Sequence, residues 1–236
     1  MSIDLIYKKK IVAFLDIMGF KSIVKESETD LSFQKHVIAC LVELKEKEYE
    51  RPPAFRKLER YHKTVTAFSD SIVITYDAID GDAVSSILFD IYCMQIDLVA
   101  SGFLLRGAVT IGDVFHNGGV IVGPAMVKAY ELESKVAIYP RVIVDPALIN
   151  QTLTSWEDDP DIERKQQNLM WILRSCENEY YFIDFLKCAA DLGYAYSDFL
   201  KDLKVIIDKG LTAKDFGVVS KYEWLKKYYD HTTNNA

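Results

Sequence analysis

The chain has few cysteines for its length. Its 236 residues include four, which are widely spaced and form neither a CxxC pair nor the disulfide framework of a small secreted protein. We therefore expect small buried or half-buried thiols rather than zinc ligands at these positions. The four are Cys40, Cys93, Cys176 and Cys188.

The chain also lacks an excess of positive charge. It holds 28 Lys and Arg against 35 Asp and Glu, a formal net charge of −7. This balance disfavours a broad electrostatic grip on a nucleic-acid backbone, so we expect no nucleic-acid partner. A local basic pocket for a small anion is compatible with the same charge.

A membrane span and a secretion signal are missing from the pattern. The longest apolar stretch, around residues 118–127, is broken by glycines and a proline and is shorter than the ~18 residues that a span needs. The lysine-bearing start runs into an apolar segment that contains Asp16 and has no small-residue cleavage site. These features predict a cytoplasmic protein with no membrane partner.

The sequence does contain the material for a globular domain, since 50% of its residues are hydrophobic and 12% aromatic. Periodicity predicts a strand at 10–14, a helix at 31–48, a hairpin at 63–76, a helix at 82–100 and a strand at 103–111. A hairpin at Gly118-Gly119, a helix at 124–133 and a strand at 141–144 follow. The order β-α-β-β-α-β predicts an α+β protein with a ferredoxin-like core.

An acidic loop at 157–163 marks the expected boundary between two parts. We predict a catalytic core at 1–155 and a C-terminal extension at 156–236 that packs on the same core. The extension carries a predicted strand at 180–186 and predicted helices at 196–209 and 218–229.

Two carboxylates fall where strands end. Asp16 follows the first strand and precedes Gly19; alone, it is typical of a helix cap. Asp70 lies at the turn of the 63–76 hairpin, whose first strand we expect beside strand one. Both side chains then reach one edge of the sheet, where Mg²⁺ bridging to phosphates would neutralise them.

Four segments, in order, resemble the catalytic domains of class III nucleotidyl cyclases, the adenylate and guanylate cyclases. FLDIMGF (14–20) resembles the first metal-binding segment, and AFSDSIVI (67–74) is similar to the second. RGAVTIG (106–112) is similar to the Arg-x-Gly-Ile-His-x-Gly strand, and VGPAMVKAYELE (122–133) resembles the Gly-x-x-Val-Asn-x-Ala-x-Arg-x-Glu helix. The resemblance covers about residues 8–150.

The resemblance implies roles for particular residues. Two Mg²⁺ or Mn²⁺ ions per site would be held by Asp16, Ile17 and Asp70. The triphosphate would be bound by Met18, Gly19, Phe20 and Arg106.

The chain departs from the family pattern at the base and transition-state positions. Thr66 and Val120 stand where purine-selecting members have Lys and Asp, which leaves Thr66, Phe68 and Val120 as candidates for base selection. Val127 and Glu131 stand where the family has its transition-state Asn and Arg. Candidates to replace that function are Lys128, Glu131 and Arg141. Glu131 lies on the helix face where the family's Arg would be, and the cations Lys128 and Arg141 are also typical of ordinary surface charges.

This mixture is similar to the pyrimidine cyclases of bacterial Pycsar anti-phage systems. The resemblance implies conversion of UTP or CTP to the cyclic monophosphate, a head-to-tail homodimer with composite sites, and a separate effector that binds the cyclic nucleotide. The alternatives are a purine cyclase with rewired base contacts, a degenerate nucleotide-binding module, and a palm-type polymerase or diguanylate synthase. The sequence does not contain the Gly-Gly-Asp-Glu-Phe or Gly-Gly-Asp-Asp turn that a palm-type polymerase or a diguanylate synthase would carry on the hairpin.

Other residues of interest have ordinary explanations. His62 and His116 have no partner at metal-ligand spacing in the sequence. The aromatic group Trp224, Tyr228 and Tyr229 is typical of packing or of a dimer contact.

Overall fold

The computed structural model describes residues 5–46, 61–78, 80–189 and 196–234. Eight strands are found in these ranges: β1 (Lys8–Ile17), β2 (Lys63–Phe68), β3 (Ser71–Asp77), β4 (Leu105–Asn117), β5 (Val120–Val122), β6 (Val142–Val144), β7 (Leu173–Ser175) and β8 (Tyr181–Ile183). They form a mixed sheet of order β2-β3-β1-β4-β6-β8-β7, with β5 paired to β4. The β4–β6 pair is parallel, and the remaining pairs are antiparallel.

Helices connect these strands. They are α1 (Phe20–Ser27), α2 (Leu31–Glu46), α3 (Gly81–Ala100), α4 (Pro124–Lys135), α5 (Pro146–Ser155), α6 (Ile162–Ile172), α7 (Phe185–Cys188), α8 (Tyr196–Leu211) and α9 (Phe216–Thr233). The order of the first elements confirms the predicted α+β class and its β-α-β-β-α-β core.

The elements differ from the predictions mainly in length. A short helix, α1, follows the Gly19 turn, where φ is +74° and a side chain would be strained. β1 and β4 are both longer than predicted, and β8 is shorter because Asp184 caps the start of α7. Residues 47–48 of the predicted 31–48 helix lie outside the described residues, as does most of the connector that leads to His62.

The position of the hairpin strands in the sheet corrects one expectation. β3, the second strand of the hairpin, lies beside β1, and β2 lies at the sheet edge. The physical reason is burial: β3 has five consecutive buried residues, whereas β2 is half-buried along most of its length. The more apolar strand takes the central place, where both faces are covered.

Helices cover both faces of the sheet. On one face, Ala125 and Ala129 of α4 pack against Val12 of β1 in a small apolar cluster. The larger core contains α3, which is long and apolar enough to cross a membrane by length and composition. In this structure 89% of its most apolar window is buried inside the protein, so α3 is a core helix. It is also a longer apolar segment than the 118–127 stretch that the sequence analysis took as the longest.

The last third of the described chain adds to the same sheet. β8 pairs with β6, and β7 pairs with β8. Leu203 of α8 and Leu225 of α9 are fully buried in the larger core. The division of the chain at residues 155/156 stays a prediction.

Candidate active site

The two predicted carboxylates meet at one end of the sheet. Asp16, near the end of β1, pairs with Ser71 of β3, and the N–H of Ile17 donates to the carbonyl of Asp70 across 3.0 Å. The side chains of Asp16 and Asp70 are within hydrogen-bond reach of each other. The hairpin turn therefore brings Asp70 to Asp16 even though the order of its strands differs from our expectation.

Arg106 lies against the same pair from the other side of β1. It is the cross-strand partner of Asp16, and its Nε lies 3.1 Å from Asp16 Oδ2. Its Nη2 lies 2.6 Å from Oε1 of Glu133 on α4. We call Asp16, Asp70, Arg106 and Glu133 the carboxylate cluster.

Burial shapes the electrostatics of this cluster. The pKa of Asp16 is raised chiefly by burial; Arg106 opposes the rise and Asp70 adds to it. The pKa of Glu133, which is only 3% exposed, is also raised, again chiefly by burial and against the effect of Arg106. Two carboxylates that are partly removed from water and close together are stabilised by a nearby cation.

The residues present fit a divalent ion that completes its shell from a bound phosphate. Asp16 and Asp70 supply hard oxygen donors, and Ile17 lies next to both in the backbone. Within the described ranges no group of three or more His, Cys, Asp and Glu side chains is arranged to hold a metal. Mg²⁺ is commonly bound in proteins by one or two carboxylates together with substrate phosphates and water.

The turn after β1 presents main-chain donors beside the carboxylates. The N–H of Met18 already donates to the carbonyl of Leu104 across 2.9 Å. The first N–H groups of a helix have no acceptor within that helix, and α1 begins at Phe20, directly after Gly19. Of the three predicted phosphate-binding positions in this turn, Gly19 and Phe20 therefore suit an anion better than Met18 does.

Two of the base-selecting candidates are exposed, and the third contacts His116, for which the sequence indicated no role in the site. Phe68 is 82% exposed and Val120 is 57% exposed. Oγ1 of Thr66 lies 2.9 Å from Nε2 of His116, whose Nδ1 lies 2.9 Å from Oγ1 of Thr75. Burial, with a smaller contribution from Lys10, lowers the pKa of His116 to about 4, so its ring is neutral near pH 7.

The three catalytic candidates are not brought to the carboxylate cluster. Lys128 forms an ion pair with Asp145, the residue that caps α5. Glu131 pairs with Lys135 at 2.9 Å on an exposed face of α4. Arg141 is buried among aromatic rings beyond β6.

Helical spacing explains why Glu131 faces away from the cluster. Ala125, Ala129 and Glu133 recur every four residues and form the buried side of α4. Val127, which stands where the family has its transition-state Asn, is 60% exposed. Glu133 is thus the residue of α4 that reaches Arg106. In the sequence, Glu133 could have been found as the final Glu of the Gly-x-x-Val-Asn-x-Ala-x-Arg-x-Glu helix pattern.

No protein-family model matches the chain, and no curated protein matches it. Its structural neighbours are class III adenylate and guanylate cyclase domains.

Two of these neighbours are cyclase domains matched over most of their length. One is the monomeric guanylyl cyclase domain of the RhoGC fusion protein from the aquatic fungus Blastocladiella emersonii, with 15% identity, a TM-score of 0.43 and coverage of 75% of this chain and 95% of the other. Another is the adenylate/guanylate cyclase/hydrolase from Silicibacter pomeroyi, with 14% identity, a TM-score of 0.44 and coverage of 75% and 97%.

A third neighbour is a class III adenylyl cyclase-like ATP-binding protein from Pseudomonas aeruginosa. It has 9% identity, a TM-score of 0.39 and coverage of 89% of this chain and 60% of the other.

Proposed function

We propose that the protein is a metal-dependent nucleotidyl cyclase that converts a pyrimidine nucleoside triphosphate, UTP or CTP, to the 3′,5′-cyclic monophosphate and pyrophosphate. The observation that carries the proposal is the juxtaposition of Asp16 and Asp70 with Arg106 at one end of the sheet. Paired carboxylates for cations and an adjacent guanidinium for phosphate are the groups that such a transfer needs.

The reaction joins the ribose 3′-oxygen to the α-phosphorus and breaks the bond from that phosphorus to the bridging oxygen of pyrophosphate. The 3′-hydroxyl proton passes to solvent. Divalent ions, when bound at Asp16 and Asp70, would lower the pKa of the 3′-hydroxyl and neutralise the triphosphate. Arg106 exchanges a carboxylate oxygen for a phosphate oxygen, while the N–H groups at Gly19 and Phe20 orient the chain of phosphates.

The proposed base preference rests on Thr66, on the histidine that contacts it, and on Val120. The hydroxyl of Thr66 is held by His116, and Val120 offers an apolar side chain. These groups do not make the charged donor and acceptor pair that reads a purine in the resembling family. A short hydroxyl set by a neutral histidine suits the smaller pyrimidine ring.

We further propose that the enzyme acts as a homodimer with composite sites. Several large apolar side chains are exposed on β2, β5 and α4, and exposed apolar side chains are available for contact with a second subunit; they are Phe68, Val120, Val122, Val127 and Tyr130. A partner subunit would supply the transition-state groups that Val127 and Glu131 do not. The proposed product would act as a second messenger in anti-phage defence, through a separate effector protein.

The test is incubation of the purified protein with Mn²⁺ or Mg²⁺ and each of ATP, GTP, CTP and UTP separately, with products identified by mass spectrometry. Cyclic UMP or cyclic CMP is the expected product, and addition of EDTA is expected to abolish it. Cyclic AMP or cyclic GMP instead would keep the cyclase activity and contradict the base assignment.

A degenerate nucleotide-binding module is the second candidate. It is favoured by the positions of Lys128, Glu131 and Arg141, each of which is engaged away from the carboxylate cluster. Saturable nucleotide binding with no product from any of the four triphosphates would support this module over the cyclase.

A further inference from the structure

A second concentration of positive charge lies beyond β6, outside the carboxylate cluster. A pocket of about 270 Å³ opens between the β7–β8 connection and α9. Four basic side chains line it: Arg141, Arg174, Lys227 and His231. In a chain of net charge −7 such a concentration of basic groups is a local feature, and a concave basic surface focuses the field on small anions. We call it the arginine pocket.

Arg141 forms the inner wall of the arginine pocket and is built into it. The residue is 5% exposed, and its guanidinium carbon lies 5.2 Å from the ring centre of Trp224 and 5.4 Å from that of Tyr139. Those two rings are parallel, with centroids 5.2 Å apart. The aromatic faces fix the plane of the guanidinium and stabilise its charge.

The hydrogen-bonding capacity of Arg141 is not filled by the described residues. Its Nε is buried and has no hydrogen-bond partner among them. Its acidic neighbour is Glu177, whose carboxylate lies 3.5 Å from Nη1 and whose side chain is 76% exposed. Leaving a buried donor unsatisfied costs free energy, so a small shift of the guanidinium that brings Nε into contact with a ligand oxygen would be favourable.

The remaining charges leave the arginine pocket basic. Arg174 stacks on Tyr228 at 5.3 Å and lies 3.9 Å from the carboxylate of Asp184. Lys227 and His231 are exposed on α9, one turn apart. Two carboxylates oppose these basic groups, those of Asp184 and of the solvent-facing Glu177, so a small anion would meet more donors than acceptors.

We propose that the arginine pocket binds a small phosphate-bearing anion, with Arg141, Arg174 and Lys227 as its donors and Glu177 as the group that it displaces. A planar guanidinium held in place binds two phosphate oxygens at once. The volume suits phosphate or pyrophosphate rather than a whole nucleotide triphosphate. This proposal does not rest on the proposed function, because the pocket shares no residue with the carboxylate cluster.

The experiment is calorimetric titration of the full chain with inorganic phosphate and with pyrophosphate, in EDTA and at low ionic strength. Lys227→Gln is compared with Lys226→Gln, a change of equal charge one residue away whose side chain pairs with Asp230 outside the pocket. We expect Lys227→Gln to weaken binding about tenfold and Lys226→Gln to leave it unchanged.

A second variant has the opposite expected sign. Glu177→Gln removes the competing carboxylate from an exposed position and is expected to tighten anion binding about fivefold. Binding of both anions would identify the phosphate group as the feature recognised, and binding of pyrophosphate alone would identify the longer anion.

Two results would overturn the proposal. One is the absence of saturable binding of either anion. The other is equal affinity in the parent, Lys227→Gln and Glu177→Gln.

Discussion

Two arginines on neighbouring strands of one sheet are held in different ways. Arg106 of β4 and Arg141 before β6 are joined through the backbone, since the N–H of Gly107 donates to the carbonyl of Arg141 across 3.2 Å. Arg106 is bound by two carboxylates, those of Asp16 and Glu133. Arg141 is enclosed by aromatic rings and meets one exposed carboxylate.

The difference indicates two kinds of site. A guanidinium between carboxylates can exchange one of them for a phosphate oxygen, as the proposed reaction at the carboxylate cluster would require. A guanidinium between aromatic rings keeps a fixed plane, which suits recognition of one ligand geometry. The first arrangement belongs to the motif-bearing part of the chain, and the second depends on α9.

The largest effect should follow removal of the carboxylates. Asp16→Ala and Asp70→Ala are each expected to lower the rate of cyclic nucleotide formation by about three orders of magnitude, because each removes a ligand of the proposed ions. Steady-state rates measured by mass spectrometry, with circular dichroism for the fold, test this. Asp113→Ala, which removes an exposed carboxylate of β4, serves as the control. Full activity in Asp16→Ala or Asp70→Ala would contradict the metal assignment.

Parallel replacement of the two arginines compares the two sites directly. Arg106→Lys keeps the charge but cannot bridge two carboxylates, and we expect turnover to fall about 100-fold. Arg141→Lys is expected to keep turnover within about threefold and to lower the melting temperature by about 2–4 °C, since stacking on Tyr139 and Trp224 is lost. A large loss of turnover with an unchanged melting temperature in Arg141→Lys would make Arg141 part of the catalytic machinery.

The sequence indicated three of the four members of the carboxylate cluster: the ends of predicted strands pointed to Asp16 and Asp70, and the resemblance to the cyclase strand pattern pointed to Arg106. Glu133, which also contacts Arg106, was not among the predicted site residues. Asp16 ends an apolar strand, and Asp70 is the polar centre of a hairpin. Arg106 begins the strand that pairs with β1. Register then brings these three together with little dependence on the rest of the chain.

The same reasoning could not reach groups assembled by distant elements. From the sequence alone, Arg141 is typical of a surface charge. In the folded protein, Trp224 of α9 packs against its guanidinium. His116 reads as an ordinary hairpin residue, but the β4–β5 hairpin folds it onto Thr66 and Thr75 of β2 and β3. Both depend on tertiary packing, which composition and periodicity do not encode.

His116 makes the stability of the fold depend on pH, and this effect can be measured without measuring activity. The pKa of His116 is about 4 in the folded protein and about 6.5 in the unfolded chain. Between these two pH values the histidine is protonated in the unfolded chain and neutral in the folded one. The stabilisation from neutral His116 is complete above about pH 6.5 and is lost as the pH falls toward 4.

Urea unfolding of the parent and of His116→Gln at pH 7, 5.5 and 4.5 measures that contribution. Glutamine can still bond both threonines but does not titrate. We expect the stability of the parent relative to this variant to fall steadily across the three values. A constant difference between the two proteins would contradict the neutral state of His116.

The smallest effect on turnover is expected from replacing Glu131 and Lys128, two charged residues of α4 that do not contact Arg106. Glu131 and Lys135 form an exposed pair worth no more than about 0.5 kcal/mol, and Lys128 binds Asp145 from a side chain that is about half exposed. Within one chain, Glu131→Ala and Lys128→Ala should therefore change turnover by less than about threefold. If either variant loses activity in proportion to dimer formation, measured by light scattering over a range of protein concentration, the outward face of α4 acts across the subunit interface and not on the carboxylate cluster of its own chain.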